Sequence, residues 1–156
     1  KKTIKINPSY ADAYNNMGTS LHGKGDLDEA ISSYKKAVKI KPDYADAYNN
    51  LGMSLKSKGD LKAAINSYKQ ALEINPYYAV AYINMGIALQ EKGDIEAAIA
   101  SYSEALKLNP NYAEAYFNIG ISLYGMGEIE EAIVSFGSAL KLSPGYAEAY
   151  NNMGLP

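Results

Sequence analysis

Five asparagines, Asn16, Asn50, Asn84, Asn118 and Asn152, recur at one constant interval along the chain. A carboxamide carries both donors and an acceptor, so a row of them can pair with the backbone of an extended polypeptide whatever its side chains are. Other chemistry has little to stand on. His22 is the single histidine, cysteine is absent, and no carboxylate pair recurs beside a candidate nucleophile, so neither acid–base catalysis nor a zinc ligand set is expected. Gly23-Lys24-Gly25 and Gly125-Met126-Gly127 begin like a dinucleotide-binding loop, but Asp28 and Glu130 stand where a third glycine is needed. No cofactor, no metal and no catalytic residue are therefore expected.

The partner class narrows with composition. All 15 basic residues are lysine, which removes the bidentate fork used to read phosphate and guanine, and the net charge is −2, so nucleic acid is excluded as a partner. No apolar run approaches the roughly 18 residues of a membrane span, and Lys1-Lys2-Thr3-Ile4-Lys5-Ile6 lacks the apolar stretch of a signal peptide. The expectation is no membrane partner and a cytoplasmic location.

The interval of the asparagines, a step of 34, governs much of the sequence. Pro8, Pro42, Pro76, Pro110 and Pro144 keep it, as do Gly18, Gly52, Gly86, Gly120 and Gly154, and the series Gly25, Gly59, Gly93 and Gly127. Tyr34, Tyr68 and Tyr102 continue in Phe136. A fixed period of this length marks stacked supersecondary units. With Ala11 as the first position, the copies are 11–44, 45–78, 79–112 and 113–146; residues 1–10 match the end of a preceding repeat and 147–156 the start of a fifth.

Each copy predicts two helices, A and B. Lys24-Gly25-Asp26 and its equivalents close helix A and open helix B: glycine adopts the left-handed C′ conformation and aspartate caps the next turn. Helix B shows helical apolar spacing, as in Leu27, Ala30, Ile31, Tyr34, Ala37 and Val38, until Pro42. Pairs three apart, Ser9–Asp12, Asp43–Asp46, Asn111–Glu114 and Gly145–Glu148, predict capping boxes for helix A; Tyr77–Val80 breaks the series. The glycine at position eight, with Ala30, Ala64, Ala98 and Ala132, predicts close approach of the two backbones, with tyrosines filling the space between copies.

Tyr14, Met17-Gly18, Leu21, Ala30, Tyr34, Ala37 and Pro42, with their counterparts in the later copies, resemble the tetratricopeptide repeat over nearly the whole chain. The resemblance implies an all-α fold, a right-handed superhelical solenoid of antiparallel helix pairs. It also implies a concave face lined by the A helices at positions two, five, six, nine, twelve and thirteen, with a peptide or protein held in that groove. The position-six series is similar to the asparagine ladder of the O-linked N-acetylglucosamine transferase repeats; the alternative is that these amides only bridge adjacent repeats.

A second series of groove candidates is apolar: Met53, Ile87 and Ile121 at position nine, Ile83 and Phe117 at position five, with Val80 and Tyr124, whereas Asn15 and Asn49 make the first two repeats more polar. These apolar residues form an exposed strip if helix A shows that face to solvent, and are partly covered if curvature brings adjacent A helices together. Asp12, Asp46, Glu91, Glu114 and Glu148 outnumber Lys56 and His22 there, so the expected ligand is an extended segment, neutral to basic, with apolar residues. The lysine and arginine clamp of chaperone-binding relatives is missing. Three functions are in view: a non-catalytic interaction scaffold, a module that self-associates end to end through uncapped terminal repeats, and the targeting arm of a larger enzyme.

Overall fold

The computed structural model describes residues 9–145, so Asn152, Glu148 and the fifth-repeat fragment lie outside the described residues, as does the preceding fragment apart from Ser9 and Tyr10. Eight helices follow in order: α1 (Ser9–Lys24), α2 (Leu27–Ile40), α3 (Ala45–Ser57), α4 (Leu61–Ile74), α5 (Ala79–Lys92), α6 (Ile95–Leu108), α7 (Ala113–Met126) and α8 (Ile129–Leu142). The odd-numbered helices are the A helices, and α3, α5 and α7 start on the first residue of a repeat. The chain divides between Asn84 and Met85 into two compact halves.

Within each hairpin the turn is two or three residues long, which forces the two helices to run antiparallel. Gly25 sits at φ 86°, and its three counterparts lie within a few degrees of it, because the A helix ends in a left-handed residue. The acid that follows behaves less uniformly than expected. Asp60 accepts the Ala63 amide at 3.1 Å, whereas Asp26, Asp94 and Glu128 occupy the N-cap without a side-chain cap bond. Asp94 takes the Lys92 ammonium at 2.5 Å instead.

The capping boxes expected for the A helices at Asp43–Asp46 and Asn111–Glu114 do not form. Tyr44 and Tyr112 occupy the N-cap of α3 and α7 with no side-chain cap bond, one residue later than the predicted caps. In the second and third repeats the turn is fastened from its other side, where the Asn75 and Asn109 side chains accept the backbone amides of Tyr77 and Asn111 at 3.1 and 3.0 Å.

The glycine at position eight also acts differently from the expectation. A Cβ on Gly18, Gly52, Gly86 or Gly120 would lie 2.7, 2.6, 2.5 or 2.6 Å from the ring of Tyr34, Tyr68, Tyr102 or Phe136, respectively. The aromatic ring of helix B lies flat over the bare Cα of its own helix A, so the close contact is ring to backbone within one repeat. Burying such a ring contributes about 1.5 to 3 kcal/mol, which offsets the roughly 1 kcal/mol that glycine costs inside a helix. Buried alanines, among them Ala30, Ala37, Ala64, Ala71, Ala98 and Ala105, let each pair close around that ring.

Candidate functional site

In the amino-terminal half, α1 and α3 bring position five of one repeat beside position six of the next. Asn50 Nδ2 donates to Asn15 Oδ1 at 3.1 Å, and Asn84 Nδ2 donates to Asn49 Oδ1 at 2.9 Å. Asn15 and Asn49 are buried, and Asn49 Nδ2 contacts Met53 Sδ at 3.7 Å. Asn50 and Asn84 are half-buried and Asn16 is exposed. One amide donor at each of two rungs is thus committed to the neighbouring repeat, while the carbonyl oxygen keeps both lone pairs for a ligand.

Of the two outcomes weighed for the apolar strip, partial covering holds at position five: Ile83 is buried, as are Asn15 and Asn49, which accept bonds from the next A helix, while Phe117 is half-buried. Position nine is more open: Met53 is exposed, and Ile87 and Ile121 are half-buried. Phe117 is half-buried and meets Phe136 edge to face, with centroids 5.7 Å apart at 61°. Asn118 and Lys56 are half-buried, and Tyr124 is exposed.

Two kinds of contact went unrecognised in the residue pattern. Asp12 acts on the phenol of Tyr44 and Asp46 on that of Tyr78, each across nearly a full repeat. The signal was present as two tyrosine and acid series at constant offset. Burial, together with the hydrogen bond to Asp12 and its charge and that of Asp46, pushes the Tyr44 phenol up to about 12. Burial first, then Asp46, raises Tyr78 well above the ordinary tyrosine value; burial, then Glu114 and Glu91, raises Tyr102. The second missed contact is His22 Nδ1 to Ser54 Oγ at 2.8 Å, which links α1 to α3. Ser54 is fully buried, so the bond fastens one A helix to the next.

Among the described residues, no group of three or more histidines or acids could hold a metal ion, and no helix is long and apolar enough to cross a membrane.

Comparison with known proteins accords with this architecture. Models described as "Tetratricopeptide repeat" match residues 9–76, 67–100 and 113–146, and one described as "TPR repeat" matches 89–127. A crystal structure of MamA is 29% identical with a TM-score of 0.84, covering 94% of this chain and 86% of that one. The first TPR of Spaghetti (RPAP3), bound to the HSP90 peptide SRMEEVD, shares the fold at 23% identity and a TM-score of 0.76, covering 80% of this chain and 98% of that one. Heat shock protein STI1 of Saccharomyces cerevisiae is 56% identical over 32 residues, which is 20% of this chain and only 5% of that relative's length. With matching models reaching from residue 9 to 146 and an all-helical hairpin architecture to go with them, the chain belongs to the tetratricopeptide repeat family.

Proposed function

We propose that the chain is a non-catalytic protein-interaction module that holds an extended segment, neutral to basic and carrying apolar residues, against its A helices. The observation that carries this reading is the register of Asn50 and Asn84. Each is half-buried and oriented by a bond to the preceding repeat, and its carbonyl oxygen has no hydrogen-bond partner among the described residues. Such oxygens accept backbone N–H groups, in the manner of an asparagine ladder, and are indifferent to side-chain identity. Position nine adds apolar contact through Met53 in one half and through Ile87 and Ile121 in the other.

Charge selects against an acidic ligand. Asp12, Asp46 and Glu114 are exposed on the A helices and arginine is absent from the chain, so a tail like SRMEEVD, seen on the first TPR of Spaghetti, meets carboxylates here. The test is a panel of extended peptides scored by fluorescence anisotropy against the parent and an Asn50→Ala/Asn84→Ala variant. The variant should bind about tenfold more weakly than the parent while keeping its helical circular dichroism. Equal affinity for every peptide rejects the ladder.

A second reading, end-to-end self-association, draws on α8. Ile133 is 51% exposed, whereas its equivalents Ile31 and Ile65 are 7% and 6% exposed beneath their neighbours. Light scattering that shows a monomer at every concentration rejects that reading.

A further inference from the structure

We propose that Tyr77, in the turn before α5, and Val80, in its first turn, anchor an apolar side chain of the bound segment, and that Asp46 and Asp12 hold Lys or Arg side chains of the same segment in register with it. This rests on the reading above, that an extended, basic segment lies along the A helices, and adds which residue types it carries and at what spacing.

The pair is an anomaly within the repeat. In the neighbouring copies on either side its two positions are held by Asp43 with Asp46 and by Asn111 with Glu114, all polar and all exposed. Tyr77, in the turn that leads into α5, is 81% exposed, and Val80, in the first turn of α5, is 41% exposed, so this junction shows solvent an aromatic ring and an aliphatic side chain three residues apart. At such exposure neither adds much to the core, and both retain apolar surface that a ligand can cover.

The flanking groups are ordered. Val80 lies one period after Asp46 and two after Asp12. Both carboxylates are exposed, and neither is ion-paired with a lysine among the described residues, whereas Asp28, Asp94 and Glu104 each hold one. Each acts on the phenol of a tyrosine at the turn before the next A helix, Asp12 on Tyr44 and Asp46 on Tyr78, and a carboxylate in that position keeps acceptor capacity for a cation. Adjacent A helices pack about 8 to 10 Å apart and an extended chain advances about 3.3 Å per residue, so one period corresponds to about three ligand residues. The occupant is therefore a segment with two basic residues and one apolar residue, each about three apart. Apolar burial supplies the anchor and the charges at its edge set the register.

The test uses the whole chain and fluorescently labelled peptides built on serine. The reference peptide is Lys-Ser-Ser-Lys-Ser-Ser-Leu, with its reversed sequence for the opposite chain direction, versions with Leu moved by one or two places, and one with Lys replacing Leu. The parent should bind one direction of the reference about tenfold more tightly than the shifted versions. Val80→Glu, which installs the acid that the other repeats carry, should reverse the preference so that the all-lysine peptide binds better than the leucine one. Tyr77→Ser should weaken only the leucine peptide, and circular dichroism should match the parent for both variants. Equal affinity for shifted and unshifted peptides, or an unchanged ranking in Val80→Glu, overturns the proposal while leaving the extended-segment reading standing. Binding of no peptide, in this set or the wider panel, overturns both. A concentration-dependent dimer of the parent that Val80→Glu abolishes assigns the patch to a second copy and likewise overturns it.

Discussion

The two halves use one hairpin but place different chemistry at position five of their A helices and beside it. In the amino-terminal half the layer between A helices holds hydrogen-bonded polar groups: Asn15 with Asn50, Asn49 with Asn84, and His22 with Ser54. In the carboxy-terminal half position five is Phe117, stacked edge to face on Phe136, and Ser122, the counterpart of Ser54, is buried with no partner for its hydroxyl among the described residues. Buried amide pairs fix register and orient what faces solvent, while aromatic packing stabilises through area and specifies less. A repeat can thus keep its fold while changing what its A helix offers a ligand.

The largest expected effects probe what the halves share. Gly52→Leu and Gly120→Leu drive a side chain into the buried rings of Tyr68 and Phe136, where even a Cβ would come within 2.6 Å. Each should cost about 1 to 3 kcal/mol in urea denaturation, with similar losses in the two halves. Losses that differ widely, or an unchanged midpoint in either variant, would break the comparison by showing that the hairpins themselves are not equivalent.

Changes between repeats should separate the halves by sign. Asn49→Ala removes the acceptor of the Asn84 amide and should destabilise by about 1 kcal/mol. Ser122→Ala deletes a buried hydroxyl that has no partner among the described residues and should be neutral or stabilising by up to about 1 kcal/mol. Denaturation midpoints that move in the same direction would mean that the polar layer is no more organised in one half than in the other.

The residue pattern made some of this legible and hid the rest for physical reasons. The constant step located the helix pairs, and glycine after each A helix announced the left-handed turn, because both are local backbone requirements. The role of Asp46 was hidden. An acid three places after a polar residue reads as a cap, yet the carboxylate raises the phenol of Tyr78, and an interaction spanning nearly a full repeat follows from packing and not from local spacing. The glycine series marks Gly86 for close approach, but the partner is the ring of Tyr102, since a residue step alone says which positions recur and not which atoms meet. The burial of Ile83 is not legible in its series, because apolar periodicity marks a side of a helix without saying what covers it.

The smallest effect distinguishes how each half holds its tyrosines. Tyr44 is raised from its ordinary 10.0 to about 12, by burial first and then by Asp12 and Asp46. Tyr102 is raised by burial first and then by the charges of Glu114 and Glu91, and its hydroxyl donates to Gln90. In both cases the unfolded chain gives up the phenolic proton at lower pH than the folded one. The stability contributed by the neutral phenol is therefore fully present below pH 10 and, for Tyr44, is lost as pH rises from 10 towards 12. Tyr44→Phe should lose the bond to Asp12 at neutral pH and fall less steeply than the parent across that window, so that the two thermal-midpoint curves converge. Tyr102→Phe should flatten the alkaline fall in the same sense. Asp12→Asn should ease the fall only through Tyr44, because that carboxylate acts on the amino-terminal tyrosine and not on Tyr102. Parallel curves for Tyr44→Phe and the parent would show that Asp12 does not act on the Tyr44 phenol.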